Sequence, residues 1–339
     1  MSVAATANRV TPIRKRILGV AGLMAYVLVL AEIMVRILSS FASLYSIEML
    51  KYAKALKVRS TVPGLSHEHR PGASARLMGV DVTLNALGHR SRPLVNPKPA
   101  GERRLHVIGD SIALAWGVPV ERGFVALVED RLNRERAPQT GAKYVTINAG
   151  IGNVNAAFKT EIFKRQVDLT NPDWVVLQYY IRDAEPDPVG DDSFILQYSL
   201  FAATVYQNVR TITAVRAEPL AEHYLKLYGD GRPTWERTIA AFRELKRLCD
   251  DRHLPLTVLI VPELHNLAAD GPYPPIYRKV GATFAEMGVD AIDAFPAVAA
   301  GVKIANSEAW IARDDPHPSP EVHRILADAL YHKITTAGF

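Results

Sequence analysis

From Ile17 to Ala31 the chain carries no charged residue (ILGVAGLMAYVLVLA), and apolar character resumes at Ile33, Met34, Val35, Ile37 and Leu38. About 20 residues at a rise of about 1.5 Å cross the ~30 Å hydrocarbon core of a bilayer, so this run predicts one membrane-spanning helix over 17–38. Glu32 and Arg36 stand four apart on one helical face, where they can pair while Arg36 reaches toward the far interface. Beyond the span, Tyr45 to Val58 puts Ile47, Leu50 and Ala53 on one side and Lys51, Lys54 and Lys57 on others. That pattern predicts a helix lying on the membrane or extending the anchor. Residues 59–100 are rich in Pro, Gly and Arg and hold short alternating pieces such as Val80–Leu84, which predicts a small β-rich lead-in without its own core.

From Arg103 onward, strand-like apolar runs alternate with helical periodicity, which argues for a parallel sheet covered by helices on both faces. Strands are predicted at 105–108, 144–147, 174–177, 256–261 and 291–292, and helices at 124–136, 233–252 and 320–334, the last with Pro320 in its first turn. An insertion of roughly 186–231, rich in aromatics (Phe194, Tyr198, Phe201, Tyr206, Tyr224, Tyr228), is too long for an ordinary loop. It is either a helical excursion with a small core or a cap that shapes a cleft. The resulting map is a cytoplasmic N-terminus (1–16), the span (17–38), a linker helix and lead-in (39–100), and one α/β domain (101–339).

Charge sets the orientation. Arg9, Arg14, Lys15 and Arg16 precede the span, and the positive-inside rule then leaves the rest of the chain on the extracytoplasmic, periplasmic side of the inner membrane. A cleaved signal peptide competes, because Ser39-Ser40-Phe41-Ala42-Ser43 offers small residues to a peptidase; a buried core helix is the third reading. The net charge of +5 comes with no nucleic-acid-binding motif, and no such partner is expected. Cys249 is the only cysteine, which excludes a disulfide within the chain. His67-Glu68-His69 lacks a third convergent ligand nearby, so surface hydrogen bonding is expected there and no metal site.

Gly109-Asp110-Ser111 follows the first strand of the α/β region directly, which puts a hydroxyl nucleophile at a strand's carboxyl end, where open α/β sheets place their sites. Near the other end, Asp314-Asp315-Pro316-His317-Pro318 precedes the last helix and offers a carboxylate and an imidazole. Serine chemistry needs both, a base for the hydroxyl proton and a carboxylate to fix that base's tautomer. Asp314 and His317 are the expected pair, with Asp315 as the alternative carboxylate. Gly109-Asp-Ser-Ile-Ala113 lacks the second glycine of a nucleophile elbow, which disfavours an α/β-hydrolase.

These blocks resemble the SGNH (GDSL-type) esterase and acyltransferase superfamily, in its membrane-anchored, envelope-associated form. Gly109-Asp110-Ser111 with Trp116-Gly117-Val118 is similar to its opening block, and Asn148–Asn155 to the loop after its second strand. Tyr179–Pro186 resembles its FxxND segment, and Asp314, His317 and Pro318 its DxxHP element; Asn85–Arg90 is similar to a segment that precedes such domains. The resemblance implies a three-layer, flavodoxin-like α/β domain and cofactor-free catalysis by Ser111, Asp314 and His317. It implies an oxyanion hole from Ser111, Asn153 and Arg182. Two positions depart from the pattern: Asn153 stands where a glycine is usual, and Arg182 where an asparagine donor is usual. Asn153 keeps a backbone donor and tolerates left-handed geometry. For Arg182 three readings stay open: a charged donor to the oxyanion, a holder of an anionic substrate group, or the mark of a member that has lost activity.

The expected function is a membrane-anchored serine esterase or O-acyltransferase acting on O-acyl, chiefly acetyl, esters of an envelope polysaccharide through an acyl-serine. Its partners would be the membrane, the acylated glycan and, for a transferase, a membrane-bound acyl donor protein. The rival is a catalytically degenerate carbohydrate-binding or assembly subunit of the same fold.

Overall fold

The computed structural model describes residues 12–41, 43–187, 194–302 and 308–339. Arg9 of the basic cluster, Ala42 of the small-residue stretch and residues 188–193 of the insertion lie outside these. The first helix, α1 (Pro12–Phe41), contains the apolar run, and its side chains from Ile17 to Leu30 are exposed. It is the one helix, among the described residues, long and apolar enough to cross a bilayer. Glu32 and Arg36 pair as their spacing predicted, with Arg36 Nε donating to Glu32 Oε1 at 2.7 Å.

Helix α2 (Tyr45–Leu56) does not lie free on a membrane surface. It buries Ile47, Glu48, Tyr52 and Leu56 against the domain. Two small antiparallel hairpins follow, β1 (Lys57–Arg59) with β2 (His67–His69) and β3 (Ser74–Leu77) with β4 (Val80–Thr83). Their core is shared: Tyr52, Leu56, Leu77, Val82 and Leu84 pack with Leu114 and Trp116, which come from the loop carrying Ser111. Burying each such side chain contributes about 1.5–3 kcal/mol, so the lead-in is stabilised by the domain and in turn braces the loop that carries Ser111. The HEH segment is only partly a surface feature. His69 is buried, with Tyr52 Oη 2.6 Å from its Nε2 and Gly88 O 2.8 Å from its Nδ1, while His67 Nε2 lies 3.1 Å from Gly152 O.

The domain then runs β5 (Glu102–Gly109), α3 (Phe124–Arg131), the short α4 (Ala137–Thr140), β6 (Lys143–Gly150), α5 (Ala156–Thr170) and β7 (Trp174–Tyr180). The insertion follows as α6 (Phe194–Tyr198), α7 (Leu200–Ala217) and α8 (Leu220–Leu227). The chain closes with α9 (Pro233–Asp250), β8 (Leu256–Val261), α10 (Pro274–Glu286), β9 (Asp290–Asp293), α11 (Phe295–Gly301), the hairpin β10 (Trp310–Ala312) and β11 (Asp315–Pro318), and α12 (Pro320–Thr336). Strands β5 to β9 form one five-stranded parallel sheet in the order β6-β5-β7-β8-β9. Helices α3 and α12 pack together, as do α5 and α9, with Phe242 of α9 against Phe284 of α10, which gives the three layers. The strands are buried along nearly their whole length because both faces are covered. Helices α5 and α10 and the β10–β11 hairpin had no counterpart in the sequence reading. The predicted helix 124–136 instead ends at Arg131, and a π-type turn (Leu132–Arg136) leads into α4.

Candidate active site

Four loops at the carboxyl ends of β5, β6, β7 and β8 converge on a cleft of about 680 Å³. Its lining includes Ser111, Asn153, Arg182 and His317 together, so it gathers four of the residues singled out in the sequence, while Asp314 and Asp315 are not part of the lining. The β5 loop is forced close to β6 and β7. A Cβ at Gly109 would collide with the Ala113 Cβ and the Gln178 amide oxygen, and one at Gly150 with the Leu114 nitrogen. Close approach, and no left-handed backbone, is what Gly109 supplies. Gln178 Oε1 accepts from the Asp110 N–H (2.9 Å), and Asp110 Oδ1 accepts from the Ile112 N–H (2.8 Å), which shapes the turn that presents Ser111.

Ser111 Oγ lies 2.8 Å from His317 Nε2. The other ring nitrogen, Nδ1, lies 2.5 Å from Asp315 Oδ1, and Asp315 Oδ1 also accepts from the His317 N–H at 3.1 Å. Asp315 Oδ2 accepts from the Trp116 indole N–H at 2.7 Å, and the carboxylate is fully buried. Asp315 therefore holds the imidazole, and the expectation for Asp314 is corrected: Asp314 is exposed and accepts from the Tyr45 N–H at 3.1 Å. The reason is local geometry. Residues 315–318 form strand β11, and in a strand side chains two apart share a face, which aligns Asp315 with His317 and turns Asp314 away. Tyr45 and Trp116 rings flank the imidazole at 5.8 and 6.0 Å.

Among the described residues, neither the Ser111 nor the Asn153 backbone N–H has a protein acceptor. Asn153 sits at φ 61°, the left-handed conformation that asparagine tolerates. Arg182, on the turn Ile181–Ala184 after β7, lines the same cleft but is held by Glu185, which accepts from its Nε (3.2 Å) and Nη2 (3.0 Å). That bidentate pair fixes the guanidinium plane and leaves Nη1 for another partner.

Beneath the loop that carries Ser111 lies a buried charge cluster that sequence reasoning missed. Lys159 of α5 sends its ammonium to Asp183 Oδ2 (2.7 Å), Gln178 O (2.9 Å) and Asp110 Oδ2 (3.5 Å). Burial pushes the Asp183 carboxyl up, against the pull of Lys159. A second carboxylate–imidazole pair stands across the cleft. Buried Glu263 accepts from Tyr180 Oη (2.7 Å) and from the His265 N–H (2.8 Å), and lies 2.5 Å from His265 Nδ1. The hydrogen bond to Glu263 raises the His265 imidazole above its ordinary value.

No family model matches the chain, and no curated protein does. Among solved structures, a crystal structure of TesA matches at 16% identity and a TM-score of 0.44, covering 69% of this chain and 99% of that one. A catalytic mutant of Axe2, an acetylxylan esterase from Geobacillus stearothermophilus, matches at 19% identity and 0.45, over 70% and 94%. A two-domain esterase (CEX) active on acetylated mannans, co-crystallised with mannopentaose, matches at 18% and 0.42, over 70% of this chain and 50% of that one. The α/β domain has one five-stranded parallel sheet and stands behind one apolar N-terminal helix.

Proposed function

We propose that this chain is a membrane-anchored serine esterase or O-acyltransferase that acts on O-acyl, chiefly acetyl, esters of an envelope polysaccharide. The observation that carries the reading is the continuous relay Ser111 Oγ, His317 Nε2, His317 Nδ1, Asp315 Oδ1, with Trp116 on the second carboxylate oxygen. His317 Nε2 takes the Ser111 proton as Oγ attacks the ester carbonyl, and Asp315 stabilises the imidazolium that forms. The tetrahedral oxyanion meets the Ser111 and Asn153 N–H groups and the free edge of Arg182. On collapse, His317 returns the proton to the leaving alkoxide and Ser111 is left acylated; a water or a sugar hydroxyl then attacks, with His317 again as base. A cleft of about 680 Å³ lined by Tyr45, Tyr180 and Tyr224 suits a glycan, since tyrosine offers an apolar ring face and a polar tip. The acyl and glycan identity follow from the sequence resemblance and the anchor. The test is acetate release from an acetylated polysaccharide and turnover of p-nitrophenyl acetate by the full chain and by Ser111→Ala. Turnover lost in the variant supports the reading. A wild type inert toward both, yet binding the polysaccharide, would favour the degenerate carbohydrate-binding subunit.

A further inference from the structure

The carboxylate of Glu32 lies within the apolar stretch of α1, where an unsatisfied charge would be costly. Its hydrogen bonds go beyond Arg36 to the start of α7 in the insertion: Glu32 accepts from Ser199 Oγ (2.8 Å), the Leu200 N–H (3.1 Å) and the Phe201 N–H (2.9 Å). It thus caps α7 from outside, carboxylate at the positive end of the helix. Arg36 Nη2 adds a bond to Tyr198 O (3.0 Å), and Lys51 Nζ of α2 reaches Ser39 O (3.1 Å), so α1 is fixed to the domain at two levels. Counted from Ile17, just after the basic cluster, about 20 residues of helix end at Arg36, with Glu32 one turn deeper. The start of α7 is therefore held at the far boundary of the span.

Helix α7 itself has two faces. Gln207, Arg210 and Thr211 line the cleft. Val205, Val209 and Ile212, spaced four and three apart, lie on the opposite side and are about half exposed (45%, 55% and 51%). Ile195 and Tyr198 of α6 add to the exposed apolar surface beside the anchor. An apolar helical stripe that begins where a spanning helix leaves the hydrocarbon core is placed to lie in the same boundary layer.

From these contacts we propose that α7 lies in the interfacial layer of the bilayer that α1 crosses. Its Val205-Val209-Ile212 face is toward lipid and its other face forms a wall of the cleft, so the cleft stands at the membrane surface. The inference rests on reading α1 as a spanning helix. Position-specific quenching in the full chain, reconstituted in phosphatidylcholine vesicles, tests both separately. The Cys249 thiol is pushed up to about 12 by burial and the neighbouring Asp250, so it will not compete for a thiol-reactive fluorophore. Single cysteines are introduced as Val27→Cys on α1, Val209→Cys and Ile212→Cys on α7, and Leu169→Cys on the exposed far end of α5. Lipids carrying a nitroxide near the headgroup should quench the 209 and 212 labels about twofold or more, and lipids with the nitroxide deep in the chain should quench the 27 label most, with the 169 label unaffected. Labels at 209 and 212 that respond like the one at 169, while 27 is quenched, would overturn the seating of α7 and leave the anchor standing. An unquenched label at 27 would overturn the span and the seating with it.

Discussion

Substituting Asp315→Asn removes one charge and almost no volume, yet the geometry gives it a large effect. Asp315 now accepts on one oxygen from His317 Nδ1 and the His317 N–H, and on the other from the Trp116 indole. An asparagine has one acceptor and one donor end. If its oxygen faces His317, its NH₂ opposes the indole N–H; if it turns over to satisfy Trp116, its NH₂ faces Nδ1 and the imidazole must carry its proton on Nε2. In that tautomer Nε2 cannot take the Ser111 proton. A buried triad carboxylate changed in this way costs about 10⁴-fold in kcat, about 5 kcal/mol of transition-state stabilisation. Asp314→Asn, which touches only the Tyr45 N–H on the surface, should stay within about threefold of wild type. The assay is p-nitrophenyl acetate turnover by both variants in parallel, with Tm recorded to show that each folds. If Asp315→Asn kept a tenth or more of wild-type kcat, or if Asp314→Asn were the crippled variant, the assignment of the orienting carboxylate would be wrong.

Three other perturbations follow from the same structure. Arg182→Ala should lower kcat about a hundredfold with little change in KM, because a donor to the oxyanion acts mainly in the transition state; a raised KM for anionic esters alone would make Arg182 a substrate clamp instead. Lys159→Met strands Asp110 and Asp183 without their cation and should cost about 3–5 kcal/mol of stability, read as a lower midpoint in urea; an unchanged midpoint would mean that the cluster is not held together as an ion pair. Burial lowers the imidazoles of His69 and His323 to about 3 and that of His89 to about 4. The unfolded chain therefore binds more protons below about pH 6.5, so stability is full above that value and falls toward the folded values, by about 1.4 kcal/mol per imidazole per pH unit. Thermal melts between pH 7.5 and 5 should show Tm dropping as the pH falls, and a flat profile would contradict the buried neutral state.

The sheet, its strand positions and the anchor helix were legible because each follows from simple periodicity: continuous apolar runs for strands covered on both faces, an uncharged run for α1. The blocks that carry Ser111 and His317 stood out as short motifs, the first directly after a predicted strand and the second directly before the predicted last helix. Asp315 was misjudged because 314–318 was read as a loop, with a carboxylate three residues before the histidine. The pairing with β10 makes it a strand, where the period of two selects Asp315. Helix α5 went unseen in part because its buried face carries Lys159 among Phe158, Ile162, Phe163 and Val167, and a charge in that stripe breaks the apolar pattern. The Trp116–Asp315 and Glu32–Ser199 bonds join residues 199 and 167 positions apart, and no local spacing announces either.

Labelling of Ser111 tests the central claim most directly. Incubated with a fluorophosphonate and digested, the full chain should yield one modified peptide, with the adduct mass on Ser111. The adduct should vanish in Ser111→Ala and form at least about a hundredfold more slowly in His317→Ala. An adduct on another residue, or labelling of Ser111→Ala at the wild-type rate, would contradict the assignment of Ser111 as the nucleophile.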